Sequence, residues 1–70
     1  MAFEGTAFID KQGGKYVARC PEIGVSSQAD TMLEVLDQLR ADVHAYLKQD
    51  QPDITPGDIH LSVMRVEVEL

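Results

Sequence analysis

Between Met32 and Lys48 the chain carries one apolar stripe at helical spacing, and its 70 residues offer no second helix to bury that stripe against. On a wheel of about 100° per residue, Met32, Leu33, Val35, Leu36, Leu39, Val43, Tyr46 and Leu47 fall within an arc of roughly 160°. Arg40 interrupts the arc near one margin, while Glu34, Asp37, Gln38, Asp42, His44 and Lys48 take the opposite side. A helix patterned this way lies with one side on a sheet and the other in water. Its Met and Tyr are expected to be core side chains. Asp30 or Thr31 is placed to cap it, and Thr31-Met32-Leu33-Glu34 has the spacing of a capping box.

The segments around the helix supply the sheet. Phe3 to Asp10 alternates as a first strand, with Phe3, Ala7 and Ile9 on one parity and Glu4, Thr6 and Asp10 on the other. Phe8 falls on the polar side. Gln12-Gly13-Gly14 predicts a short hairpin loop, and Lys15 to Cys20 returns as a second strand. Tyr16, Ala18 and Cys20 point one way and Lys15, Val17 and Arg19 the other. Pro21 ends that ladder, with a turn at Pro21-Glu22, and Ile23 to Ala29 makes a third, weaker strand. Gln49 to Gly57, with Pro52 and Pro56, is a polar loop that ends the helix. A last strand begins near Asp58. The expected architecture is α+β: two layers in the order β-β-β-α-β, residues 1–70 forming one domain, with one helix on one sheet face. Phe8 and Val17 leave the opposite face partly apolar.

The last strand changes phase. Ile59, Leu61 and Val63 share one parity; Met64, Val66, Val68 and Leu70 then take the other, with Arg65, Glu67 and Glu69 between them. Side chains alternate faces with period two, so the buried face must switch. A bulge would do this, as would departure of the strand onto another subunit. The small size of the domain and the hazard of a bare apolar edge favour the second. Met64, Val66, Val68 and Leu70 are therefore the expected contact of a homodimer or larger oligomer.

Composition narrows the function classes. A chain this short buries only about 60% of its unfolded surface, so disulfides, a metal or a partner chain commonly support one of its size. One Cys forms no internal disulfide, and one Cys with two His is thin for structural zinc. A partner chain remains. Twelve acidic against six basic residues give −6, and no two basic residues are adjacent, which speaks against direct nucleic-acid binding. An acidic surface suits a basic partner, or simply keeps the chain soluble. No apolar run approaches the roughly 18 residues of a membrane helix, and the N-terminus lacks the pattern of a secretory signal. A cytoplasmic protein without a membrane segment is expected.

The reactive inventory is poor. Cys20 is placed with Tyr16 and Ala18 as a buried, inert thiol, with neither His44 nor His60 near it in sequence. His44 lies on the polar arc and is expected to be solvated; His60 faces away from the helix, where it could titrate at an interface. Asp10, Glu34 and Asp37 are the carboxylates worth testing as a Mg²⁺ site, but Glu34 and Asp37 point to solvent, opposite the stripe. Gly13-Gly14 lacks the sequel of a phosphate loop. No catalytic, cofactor or metal residues are assigned.

The stretch Tyr16-Val17-Ala18-Arg19-Cys20-Pro21-Glu22-Ile23 followed by Val25-Ser26-Ser27-Gln28-Ala29-Asp30-Thr31 resembles the HicB-like antitoxin family. Its members read Y-V-A-x-x-P-E-L, then a V-S-Q-G-D-T-like stretch, then a helix; here Ala29 stands in the place of the Gly. The likeness runs from about Phe3 to Lys48, and it is closest to short members lacking a DNA-binding module. It implies a partial RNase H-like fold with strand order 3-2-1-4, mostly antiparallel and without the nuclease carboxylates. It also implies homo-oligomers and a non-catalytic role, neutralising by occlusion a small basic HicA-type mRNA interferase. No toxin-contacting residue is carried over. The alternatives are an orphan homo-oligomeric scaffold or ligand-binding domain, and a metal-dependent nuclease.

Overall fold

Gly13 and Gly14 make the first hairpin possible: both adopt positive φ, 56° and 81°, the conformation that a two-residue turn between twisted strands requires. They join β1 (Phe3–Gln12) to β2 (Lys15–Cys20) in the computed structural model, which describes residues 2–65 of the chain. β2 leads through a turn at Pro21 to Gly24 into β3 (Val25–Ala29), shorter than the span expected from Ile23. Helix α1 (Met32–Leu47) follows, then a 3-10 turn at Pro56–Asp58 and β4 (Ile59–Arg65).

The sheet has the order β3-β2-β1-β4. β1–β2 and β2–β3 pair antiparallel, and β1–β4 pairs parallel. This is the expected two-layer α+β arrangement with strand order 3-2-1-4. A parallel neighbour needs a crossover, and α1 supplies it by carrying the chain from β3 over the sheet to the far edge.

Register decides which residues meet the helix. Ile9 lies opposite Ala18 and Cys20 opposite Val25, while Ala7 pairs with Val63 and Phe3 with Ile59. Ala7, Ile9, Ala18 and Cys20 are buried there with Val35, Leu39 and Val43 of α1 and with Ile54 and Ile59. Each large side chain so buried contributes roughly 1.5–3 kcal/mol. Small residues in the strand centres let the helix come close. Gly5 instead makes room within the sheet layer: a Cβ there would stand 2.7 Å from the Phe3 ring and 3.2 Å from Cys20 Sγ.

The helix starts where expected. Thr31 is its N-cap, and its Oγ1 accepts from the Glu34 N–H at 3.2 Å. The Glu34 carboxylate accepts from the Thr31 hydroxyl at 2.9 Å, so the two side chains lock to each other. The stripe is narrower than the wheel suggests. Leu33 is 77% exposed and Tyr46 46% exposed, so Tyr46 is not a core residue, and Met32, Leu36 and Leu47 are half-buried. One helix on a small sheet buries only the middle of a broad apolar arc.

The loop after the helix is not purely polar. Ile54 is buried beneath it as a plug. Thr55 and Asp58 form a capping box that launches β4: the Asp58 carboxylate accepts from the Thr55 N–H at 3.0 Å, and the Thr55 carbonyl accepts from the Asp58 N–H at 2.9 Å. β4 then keeps one unbroken register with β1 from Ile59 to Arg65. The expected departure onto another subunit does not occur within those residues, nor does a bulge. Within those residues Val63 is on the helix side and Met64 on the other, beside Phe8; the rest of the phase change, at Val66, Val68 and Leu70, lies outside the described residues.

Candidate interaction surface

The sequence singles out few chemical groups, and the fold separates them. Asp10 is on the sheet face away from the helix, 4.0 Å from Arg19. Glu34 and Asp37 stand exposed on α1, in the other layer. Among the described residues no three His, Cys, Asp or Glu side chains are grouped to hold a metal ion.

Cys20 is buried. Its Sγ donates to Glu22 Oε1 at 3.6 Å. Burial pushes the thiol pKa up, and the Glu22 carboxylate pushes it further, which disfavours the nucleophilic thiolate. Glu22 itself is a structural clamp that sequence reasoning missed. Its two oxygens accept from the Thr6 N–H at 3.0 Å and the Thr6 hydroxyl at 2.9 Å. β2 ends at Cys20 before Pro21, so Glu22 supplies by side chain the partner that the next ladder position would have given Thr6. The Thr6 N–H, chief among these bonds, holds the Glu22 carboxyl below its ordinary pKa.

His44 corrects an expectation. It is half-buried rather than solvated, and its Nε2–H donates to the Ile54 carbonyl at 2.8 Å, tying the post-helix loop to α1. Asp42 also leaves the solvated arc: it is half-buried, accepting from the Ser27 hydroxyl of β3 on one oxygen and from Gln38 Nε2 at 3.1 Å on the other. A short polar side chain on an otherwise apolar strand face facing a carboxylate at the stripe's margin was the available signal. His60 does face away from the helix, as expected, exposed and beside Glu4.

Two surfaces remain that could recognise something. On the uncovered sheet face Phe8 and Val17 are half-buried, and Met64, 53% exposed, is next to Phe8. Met64 is the one member of the expected oligomer contact within the described residues; Val66, Val68 and Leu70 lie outside them. The second surface is the helical layer. Residues 30–58 hold seven carboxylates, those of Asp30, Glu34, Asp37, Asp42, Asp50, Asp53 and Asp58, against Arg40 and Lys48. In residues 1–29 Glu4, Asp10 and Glu22 balance Lys11, Lys15 and Arg19. Most of the negative charge, −5 of −6, thus falls in the helix and the segments flanking it. Asp50, Asp53 and Asp58 line a shallow depression beyond the helix C-terminus, together with Gln51, Pro52 and Ile54.

No helix among the described residues is long and apolar enough to cross a membrane. Compared with protein-family models, curated proteins and solved structures, the chain matches none.

Proposed function

We propose that this chain is a non-catalytic, antitoxin-like binding protein of the cytoplasm that neutralises a small basic HicA-type mRNA interferase by covering it. The supporting observation is the placement of charge. Five of the seven carboxylates in residues 30–58 are exposed, on the helix and the segments flanking it, while residues 1–29 are electrically balanced. A field of one sign over one face steers an oppositely charged protein and orients it on arrival. The buried thiol, the committed His44 ring and the separated carboxylates leave a recognising surface as the main resource of the fold.

The test is to look for a small basic protein encoded beside this chain in its host and to purify the two together; absence of any such neighbour would count against the proposal. Titration of the purified pair should show binding that weakens steeply with salt, and the chain should block cleavage of mRNA by that protein. Glu34→Lys with Asp37→Lys should weaken binding by ~10-fold or more, since both side chains are exposed and neither supports the core. Binding that ignores this reversal, or no protection of mRNA, would sink the proposal.

A further inference from the structure

We infer that the outer edge of β3 takes up an extended segment of a basic partner as an added strand, with Lys or Arg at alternate positions meeting the carboxylates along one flank of α1. The inference rests on the reading of a basic partner and names how that partner is held.

The first argument is the backbone. β3 is the last strand on its side of the sheet and pairs with β2 alone among the described residues. Strand edges template further strands, and folds usually blunt them with Pro, Lys, an inward-pointing charge or a bulge. β3 reads Val-Ser-Ser-Gln-Ala, with no Pro and no charge, and its register with β2 is unbroken from Val25 to Ala29. It is also firmly held, because α1 packs over it and Ser27 donates to the Asp42 carboxylate. A strand already fixed in place loses little conformational freedom when a segment pairs with it. Addition of an extended peptide to such an edge takes affinity from main-chain hydrogen bonds and specificity from alternate side chains.

The second argument selects the occupant. Asp42 reaches Ser27, and Gln38 reaches Asp42, so this side of α1 stands along the β3 edge, with Glu34 one turn nearer the helix start. Asp30 follows β3 directly and is exposed, as Glu34 and Gln38 are. Arg40, the only Lys or Arg within α1, lies at the opposite margin of the apolar arc from Asp42. The flank beside β3 therefore carries acids and an amide without a compensating cation of α1. An added strand turns every second side chain toward that flank, where Lys or Arg is favoured. Its other side chains lie beside the exposed Ser26 and Gln28 on the open sheet face, which suit short polar groups. A basic helix laid on the same carboxylates would leave the outer amides of β3 unpaired.

The experiment titrates the full chain at low salt with a synthetic peptide of about ten residues in which Arg and Thr alternate, with hydrogen exchange followed in parallel. No toxin is needed, so failure here strikes the β3 edge alone, while absence of a toxin leaves this result standing. Binding at about 100 µM is expected. A peptide of the same composition, with its Arg and Thr in separate blocks, should bind ~10-fold more weakly, because only every second Arg then faces the flank. Alternate amides within residues 25–29 should gain protection as peptide is added, since every second N–H of a strand points to a given side. Asp30→Asn with Glu34→Gln should weaken binding by ~5-fold or more, and Gln is accepted in a capping box. Asp50→Asn with Asp53→Asn makes the same change of charge beyond the helix C-terminus and should alter binding by less than about twofold. No binding of the alternating peptide, equal binding of the two peptides, equal effects of the two variant pairs, or binding without protection in β3 overturns the inference.

Discussion

The two edges of the sheet are built to opposite standards. β3 is only five residues long, presents Ser26 and Gln28 outward, and is fastened to α1 by the Ser27–Asp42 hydrogen bond. β4 is longer, begins well anchored at the buried Ile59, and then loses cover residue by residue: Leu61 is half-buried and Val63 exposed, though both face the helix side. The cause is the crossover. A single helix joining the two outermost strands cannot lie over both, and α1 settles on β3 and β2. A one-helix, four-strand unit therefore has one margin well covered by the helix and one margin covered less.

The largest test of that contrast compares two leucines. Leu39 is fully buried on α1 over the finished side, and Leu39→Ala should cost about 2–5 kcal/mol in urea unfolding at fixed chain concentration. Leu61→Ala, half-buried on β4, should cost less than half as much. Equal costs would mean that the helix covers both margins alike.

The boundary between the two halves runs through β1, where Gly5 pairs with Leu61 of β4 and lies under the Phe3 ring. Gly5→Ala should destabilise by about 1–3 kcal/mol, because the new methyl group overlaps the ring and presses on Cys20. The ring sits at the β4 margin and is half-buried, so it has some freedom to yield. A cost near the low end would show the β4 margin to be loose; a cost near the high end would show it to be well packed.

The element order, the hairpin glycines, the Thr31 cap and the strand faces were legible in the sequence because each follows from local chemistry: period two, period 3.6, positive φ, an N-cap oxygen. The polar face of α1 was only half legible. Asp42 and His44 have solvent-facing positions on a wheel, yet one reaches Ser27 and the other the Ile54 carbonyl, partners that are 15 and 10 residues away. Periodicity sees the direction a residue points, not what the rest of the chain brings to meet it. The burial of Ile54 was missed for the same reason: a lone apolar residue between prolines makes no pattern. Of the expected interface only Met64 falls within the described residues; the phase change in the last strand indicates two apolar faces without saying what covers them.

A smaller test concerns the fastening of the finished edge. Ser27→Ala removes one of the two hydrogen bonds to the Asp42 carboxylate and leaves the Gln38 bond in place. The expected loss is about 1 kcal/mol. In a double-mutant cycle with Asp42→Asn the two changes should be strongly non-additive, because they share one contact. Additive losses would show that Ser27 and Asp42 act separately and that packing alone holds α1 over β3.

The smallest effect is in acid, and it touches both halves of the sheet. The carboxyls of Glu22 and Asp58 are both held below their ordinary values of 4.5 and 3.8, chiefly by the backbone N–H groups of Thr6 and Thr55. A group whose pKa is lower in the folded state binds protons more readily when unfolded. Its stabilisation is therefore complete above its ordinary value and is lost as pH falls through the folded one. Both carboxyls are solvent-exposed, so the loss should be modest and confined to pH below about 4.5, the upper of the two ordinary values. Glu22→Gln should flatten part of the acid limb of stability and release the Thr6 amide to exchange. Asp58→Asn should do the same for the Thr55 amide at the start of β4. Where the margins differ in tightness, the Thr55 amide should open first as pH falls: it leads into β4, whose cover thins from Leu61 to Val63, whereas Gly5 and Ala7 beside Thr6 pair with Leu61 and Val63 from within the sheet. Simultaneous opening of the two amides would mean that the carboxylate clamps, and not the cover over each margin, set the local stability of the sheet.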